Sequence, residues 1–294
     1  MLIENYTMEL QSKGSYIGNF RSYDKMHIIS QNELMEKIVQ TYAEMDSNKN
    51  RQECVDMYRN QFERLGAYKH IKQRQSIMSL EELIEYCKEK GNAYEKRLHQ
   101  SLVKVTGELL KKSFEKPGEL DTVILIATTG APFSPSPLQE VLSKNNSDAK
   151  HLHLYHMDCY AALPALATAN AFARTLRNYG AEKNRNVTVL HEELSSAYFG
   201  TNRNRSTGNF ICDSLFADGC IAYDAMPYKP NGDCLELLSV QYCQWENSMD
   251  YITICHSSGN VELNKELSEL IGKCCLKFFE PISHSLGDIE LDSQ

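Results

Sequence analysis

The sequence predicts an α/β protein in which a parallel or mixed sheet carries helices on its faces. Through residues 80–226, short β-branched runs alternate with segments whose apolar residues recur at helical spacing. The run LDTVILIATTG, at 120–130, is apolar without alternation. Such a run is typical of a strand that is buried on both faces of a parallel sheet.

Each element is predicted from its own pattern. The stretch APFSPSPLQEVLSKN is a Pro/Ser loop that leads into a helix, and YKPNGD (228–233) is the best candidate for a linker. Other predicted helices lie at 31–45, 80–114 with a break near Gly91, 160–179 and 261–282. Predicted strands lie at 120–130, 151–157, 186–196 and 214–226 with a turn at Asp218–Gly219, and within GDCLELLSVQYC and DYITICHSSG.

Composition and charge exclude several classes of protein. The net charge of −8 argues against general nucleic-acid binding, which needs a basic face. The sequence has no run of 18 apolar residues and its N-terminus does not resemble a signal peptide, so we expect a cytoplasmic protein without a membrane span. No two of the 10 cysteines form a CxxC pair, so neither a metal site nor a disulfide framework is expected.

Four segments, in order, resemble motifs of the thiolase-fold condensing enzymes. They are LDTVILIATTGAPFSPSP, YHMDCYAALPALATANAFA, NVTVLHEELSSAYF and DSLFADGCIAY. The second is similar to the strand–cysteine–helix segment that carries the nucleophile of that family. The nearest members are the type III polyketide synthases, which include chalcone synthase, and the 3-oxoacyl-carrier-protein synthase III enzymes.

The resemblance implies a layered α-β-α-β-α fold with mixed sheets and two similar halves. Residues 1–226 correspond to the N-terminal half and residues 227–294 to part of the C-terminal half, so we expect the second half to be incomplete. The family's catalytic histidine and asparagine follow the long second-half helix, and neither His256 nor His284 lies at the corresponding position. Homodimerisation, or a heterodimer with a related subunit, is also implied.

Cys159 is the candidate catalytic residue. Its predicted place at the start of a helix is one where the helix dipole and free N–H groups lower a thiol pKa below ~8.5. Asp158, which stands where the family usually has glycine, opposes this effect because a nearby carboxylate raises a thiol pKa. The resemblance implies that Cys159 is loaded with an acyl group from an acyl-CoA or an acyl-carrier protein.

Four further residues are candidates for substrate binding. Phe216 matches an aromatic residue that gates the acyl pocket in the polyketide synthases, and a core phenylalanine is the other interpretation. Lys69, Lys72 and Arg74 lie in a segment that resembles the basic loop that meets the coenzyme A phosphates, with a solvated basic loop as the alternative. Coenzyme A enters as the substrate thioester, and no cofactor is expected. Glu192 or Glu193 is expected to fix the end of its strand by hydrogen bonds.

Three functions follow from these residues. The first is an acyltransferase of the ketosynthase or type III polyketide synthase type, with Cys159 carrying the acyl group for carbon–carbon bond formation. The second is a non-catalytic or truncated subunit that works with a complete partner. The third, a cysteine hydrolase, needs a histidine beside Cys159, and His156 is expected to face the opposite side of its strand.

Overall fold

The computed structural model describes residues 5–8, 14–45, 50–86, 92–115, 119–127, 134–155, 161–180, 182, 185–198, 213–237, 240–243, 252–255, 260–263, 266 and 269–273. The helices are α1 (Gln31–Met45), α2 (Arg51–Leu65), α3 (Ala67–His70), α4 (Leu80–Tyr86), α5 (Asn92–Phe114), α6 (Pro137–Lys144) and α7 (Ala162–Asn178). The strands are β1 (Asn5–Met8), β2 (Ser15–Ser22), β3 (His27–Ser30), β4 (Gln73–Ser76), β5 (Leu120–Ala127), β6 (Lys150–Tyr155), β7 (Asn186–Glu193), β8 (Gly219–Met226), β9 (Cys234–Leu237), β10 (Val240–Cys243), β11 (Ile252–Cys255) and β12 (Asn260–Leu263).

A mixed sheet of six strands, in the order β6-β5-β7-β8-β2-β9, is the centre of the fold. β5 pairs in parallel with both β6 and β7, and the remaining pairs are antiparallel. The parallel pairs are joined by helical crossovers, because α6 lies between β5 and β6 in the chain and α7 lies between β6 and β7. The predicted parallel or mixed sheet is therefore confirmed as mixed.

Helices cover both faces of this sheet. Val123, Leu125 and Ala127 of β5 belong to one apolar cluster with α5 and α6, whereas Ile124 and Ile126 belong to a second cluster with α7. The division follows from the two-residue period of a strand, which sends successive side chains to opposite faces. Because α7 packs through a stripe of small side chains, it lies close to the sheet; the stripe is Ala161, Ala165, Ala169 and Ala173.

A separate helical layer is formed by α1, α2 and α4 with the antiparallel pair of strands β3 and β4. Leu34 and Ile38 of α1 and Leu83 of α4 are almost completely buried in its core. The bounds of α2 are set by local chemistry: Asn50 accepts the N–H of Gln52 at its start, and Gly66 takes the left-handed conformation (φ 64°) at its end.

Most predicted elements are confirmed, and two are wrong in part. Residues 213–215 form a helical turn, so the strand predicted over 214–226 begins only at Gly219. The helix predicted over 261–282 is wrong at its start, because Asn260–Leu263 pairs with Ile252–Cys255 as an antiparallel hairpin. Residues 269–273 are helical, and residues 274–282 lie outside the described part of the chain.

The predicted boundary between the two halves, at residue 227, does not separate two independent sets of paired strands. β9 lies beyond that boundary and pairs with β2, and β10 pairs with β1. Strands on both sides of residue 227 therefore pair with each other. Among the helices that the structure describes, none combines the length and apolar composition needed to cross a lipid bilayer.

The small-residue stripe of α7 predicts a sharp contrast between two alanines of the same helix. Ala169 is fully buried against the sheet, so Ala169→Leu is expected to lower the free energy of unfolding by about 1–3 kcal/mol through overpacking. Ala171 is exposed on the same helix, and Ala171→Leu is expected to change it by less than ~0.5 kcal/mol. Urea unfolding followed by circular dichroism measures both, and equal effects would contradict the close packing of α7.

Candidate functional site

The candidate site lies at the edge of the sheet where the parallel strands β5, β6 and β7 end. Parallel strands end on the same side, which is where open α/β sheets place their ligands. The last residues of these strands are Ala127, Tyr155 and Glu193. Cys159 belongs to the connection from β6 to α7, which lies outside the described residues, so its place in the site stays a prediction.

The start of α7 is suited to a negative charge. Ala161 at its N-cap makes no side-chain hydrogen bond, and its first turn has no acidic residue. The first N–H groups of a helix have no partner within the helix, and together with the helix dipole they favour an anion. A thiolate or a developing oxyanion next to this turn would be stabilised by both effects.

Glu192 is a fully buried acid near the end of β7, on the face covered by α5. The Thr106 hydroxyl donates to its Oε1 over 2.7 Å, and its Oε2 is buried without a hydrogen-bond partner among the described residues. Burial, opposed by the hydrogen bond from Thr106 and reinforced by the charge of Glu193, raises the pKa of Glu192 to about 8. At neutral pH Glu192 is therefore mostly a neutral carboxylic acid.

Two further titratable groups lie close to Glu192. Cys220 is its antiparallel partner in β8, and burial raises the pKa of this thiol strongly, with a further contribution from Glu192. Burial, and then the charge of Glu192, raises the pKa of Tyr155 to about 12. Cys220 is therefore an inert thiol at neutral pH and no candidate for the nucleophile.

The opposite face of β7 presents His191 on the side that carries α7. Its Nε2 lies 3.2 Å from the Tyr223 hydroxyl, and burial lowers the pKa of His191, so the ring is neutral at neutral pH. His191 is half-buried and Tyr223 is buried. Because the imidazole is neutral and hydrogen-bonded to the Tyr223 hydroxyl, it can accept a proton directly.

Phe216 lies in residues 213–218, the segment that leads into β8. Its side chain is 48% exposed, so the alternative interpretation of Phe216 as a core residue is wrong. Asp218 is buried: its carboxylate accepts the N–H groups of Ser196 and Ile77 and the Ser196 hydroxyl. The predicted turn at Asp218–Gly219 is not formed: Gly219 is the first residue of β8, and Asp218, just before it, is held by these contacts. The role of Phe216 as a gate of an acyl pocket stays a prediction.

The three candidate phosphate-binding cations do not share one environment. Lys69 and Lys72 are exposed, at the end of α3 and just before β4. Arg74 is buried, and its Nη1 donates to the main-chain carbonyl of Asp213 over 2.8 Å. Burial lowers the pKa of Arg74 to about 10, against the opposing charges of Asp213 and Asp218. The alternative of a solvated basic loop therefore does not apply to Arg74.

Metal ligands were not expected in this chain. Across the described ranges, no group of three or more histidine, cysteine, aspartate or glutamate side chains is arranged to hold a metal ion.

The mixed sheet, covered by α7 on one face and by α5 and α6 on the other, has the thiolase-like architecture of the type III polyketide synthases. No family model matches the chain, and no curated protein matches it in sequence. The likeness is found in solved structures. Their identity to this chain is below 20%, so they show the fold, and the predicted thiolase-like fold is confirmed.

Three of these structures superpose over nearly the whole chain. The C-terminal type III polyketide synthase domain of Steely1, a type I/III hybrid from Dictyostelium, is 16% identical (TM-score 0.70; 91% of this chain and 72% of that one). Germicidin synthase from Streptomyces coelicolor is 12% identical (TM-score 0.66; 96% and 78%). The 1,3,6,8-tetrahydroxynaphthalene synthase from Streptomyces coelicolor A3(2) is 16% identical (TM-score 0.64; 95% and 74%).

Sequence reasoning did not single out His191, and it named Arg74, one of the residues that hold the segment 213–218, only as a candidate phosphate ligand. One signal was available for Glu192: it is followed by a second glutamate after an apolar strand. Strand periodicity requires that two adjacent residues face opposite sides, so one of the two must point towards a covered face. The contacts of residues 213–218 come from α1, from β4 and the following Ile77, and from Ser196. All of these are distant in the sequence, and no local pattern indicates them.

The raised pKa of Glu192 predicts how stability depends on pH. In the unfolded chain this carboxyl has a pKa of ~4.3, and in the folded protein about 8, so between these values unfolding releases a proton. The free energy of unfolding then falls by up to ~1.4 kcal/mol per pH unit from about pH 4.5 to 8 because of this residue. Glu192→Gln, which stays neutral and can still accept from Thr106, is expected to remove this fall.

Urea unfolding at pH 5, 6.5 and 8 measures the effect, because the stability gained by Glu192→Gln must grow with pH. An exposed glutamate of α4 supplies the control: Glu85→Gln is expected to leave the pH dependence of the parent unchanged. A constant difference between Glu192→Gln and the parent at all three pH values would show that Glu192 is ionised in the folded protein.

Proposed function

We propose that this protein is a condensing enzyme of the type III polyketide synthase kind, which carries an acyl group on Cys159. The proposal is supported mainly by the superposition of 91–96% of the chain on three type III polyketide synthases. The connection between β6 and α7, which contains Cys159, follows a strand that ends at the candidate site and precedes a helix without side-chain capping.

The loading step is a transfer between two thioesters. The Cys159 thiolate attacks the acyl carbonyl of an acyl-CoA or acyl-carrier protein, and the new C–S bond forms as the bond to the donor thiol breaks. The donor leaves as a thiolate and takes up a proton. In the condensation a second, carboxylated thioester loses CO2, and the carbanion that remains attacks the acyl carbonyl. The C–C bond forms as the bond to the Cys159 sulfur breaks, which returns Cys159 to the thiolate.

The start of α7 supports this chemistry, because its free N–H groups favour the thiolate over the thiol. Asp158, next to Cys159 in sequence, acts against it by raising the thiol pKa. Activity therefore requires that the helix start outweigh the carboxylate. The other candidate function is a non-catalytic subunit beside a complete partner, and a thiol that cannot be acylated would favour it.

Exposed Lys69 and Lys72 are proposed to pair with the phosphates of a coenzyme A thioester. They lie three residues apart in the chain, at the end of α3 and just before β4. Phe216 is proposed to limit the acyl pocket at its exposed position. We also propose that the chain works as a dimer, with itself or with a related subunit; β6 is an edge strand of the six-stranded sheet, where a second chain could pair.

Acylation of Cys159 is the first test. The protein is incubated with acetyl-, hexanoyl- and dodecanoyl-CoA and its intact mass is measured. One of these substrates is expected to give a stoichiometric acyl adduct that is absent in Cys159→Ala, because the thioester needs the Cys159 sulfur. Cys54→Ala is the matched control, since Cys54 is buried in the helical layer and its removal must leave the adduct intact.

An adduct that persists in Cys159→Ala would assign the nucleophile to another cysteine. The absence of any adduct, with all three acyl-CoAs and with an acylated carrier protein, would favour the non-catalytic subunit over the enzyme.

The proposed phosphate contacts are tested by comparing an acyl-CoA with its acyl-pantetheine, which lacks both the phosphates and the adenosine of coenzyme A. The double variant Lys69→Ala/Lys72→Ala is expected to weaken the apparent affinity for an acyl-CoA about tenfold, equivalent to ~1.4 kcal/mol. The corresponding acyl-pantetheine has no phosphate and is expected to load at an unchanged rate. The double variant Lys37→Ala/Lys112→Ala removes two exposed lysines of α1 and α5 and is the charge-matched control. Equal losses with both substrates would show that the two lysines do not act through phosphate.

A further inference from the structure

Residues 213–218 form a short segment that is fixed at both ends and exposed in the middle. Asp213 and Ser214 are buried at its start, and Asp218 is buried at its end. Phe216 and Ala217 are exposed between them. Such a segment presents one aromatic ring from a backbone whose conformation is set elsewhere, so the groups that hold the two ends decide where the ring lies.

The start of the segment is held by side chains of the helical layer. The Tyr42 hydroxyl of α1 donates to Asp213 Oδ2, and Arg74 Nη1 of β4 donates to the Asp213 carbonyl over 2.8 Å. Gln31 Nε2, at the first residue of α1, donates to the Ser214 carbonyl over 2.6 Å. All three donors are at least nine-tenths buried, so water does not compete for these bonds.

The end of the segment is held by main-chain groups of β4 and the residue that follows it, and by Ser196 after β7. The Asp218 N–H donates to the Gln75 carbonyl over 2.9 Å, and the Asp218 carboxylate accepts from Ile77 N–H over 2.8 Å. Ser196 donates to the carboxylate through both its N–H (2.8 Å) and its hydroxyl (2.7 Å). The charges of Asp213 and Asp218 both act on Arg74, so one buried cation is attracted to the two ends of the segment.

We propose that Tyr42, Arg74 and Gln31 are positioning residues: by holding residues 213–218 they place the Phe216 ring, and through it they set the size of the acyl group that the enzyme accepts. The effect on the size of the acyl group rests on the proposed function, whereas the placement of the ring does not. The substrate preference is thus controlled in part from the helical layer. Lys72 directly precedes β4, the strand that contains Arg74. The proposed coenzyme A contact and the group that holds the ring are therefore two residues apart in the chain.

The placement of the ring is tested without reference to catalysis. Phe216→Trp serves as a fluorescent reporter, and the emission of the chain's 1 native tryptophan is subtracted with the same protein lacking the reporter. Tyr42→Phe removes only the hydroxyl that donates to Asp213. In this background the reporter is expected to show roughly twofold stronger acrylamide quenching and a lower anisotropy, because one end of the segment is released.

A second variant is included in case Tyr42→Phe fails to fold. Gln31→Met keeps the length of the side chain and removes both the donor to Ser214 and the Oε1 atom, which is buried without a partner among the described residues. Gln73→Ala is the matched control, because Gln73 is exposed in β4 beside Arg74. Quenching and anisotropy that stay at the parent values in both folded variants would overturn the proposal.

The consequence for the substrate is tested in the protein that retains Phe216. Adduct formation with acetyl-, hexanoyl- and dodecanoyl-CoA is compared by competition in one mixture, so that a general loss of activity cancels. Tyr42→Phe and Gln31→Met are expected to change the ratio of the adducts by about tenfold in favour of longer chains, and Gln73→Ala is expected to leave it unchanged. An unchanged ratio in folded variants with a loosened reporter would overturn the link to substrate size.

Failure of the proposed function gives a different result. If the parent forms no adduct with any donor, the acyl transfer is refuted, while the reporter still decides whether the helical layer places residue 216.

Discussion

Complete burial of β5 is the constraint on which the rest of the fold depends. All eight residues of this strand are buried, so both of its faces must be covered and both of its edges paired. α5 and α6 cover one face and α7 covers the other, while β6 and β7 pair in parallel at the two edges. Parallel pairing in turn makes the three strands end together, and that shared end is the candidate site.

Carboxyl groups buried in this sheet need hydrogen-bond donors, and two of them have different numbers of donors. Asp224 of β8 accepts from Arg21, Asn19 and Thr188, which is a full set of donors for a carboxylate. Glu192 in the next strand accepts from a single hydroxyl, so the neutral acid is favoured and its pKa rises. Both carboxyls are almost completely inaccessible, so the two sites differ in their hydrogen-bond partners and not in their burial.

The sequence predicted the elements that local pattern controls. β5 and α1 were found because continuous apolar character and helical spacing are each visible in a single window. Residues 261–263 fall in the predicted helix because a helical pattern follows them, whereas they pair with β11 in a hairpin. α2 was not predicted, although its cap residue Asn50 and its terminal Gly66 are present in the sequence. Contacts between distant segments, such as those of Asp213, have no local signal.

Arg74 shows how far a charge in the sequence can mislead. In the run KHIKQRQ it reads as one cation among several on a basic loop. β4 instead alternates, with Gln73 and Gln75 exposed and Arg74 and Ser76 buried. A buried guanidinium persists only where carbonyls and carboxylates surround it, and those groups come from residues 213–218. The cation predicted to meet a substrate phosphate is therefore buried against the main-chain carbonyl of Asp213, in the field of two of the protein's own carboxylates.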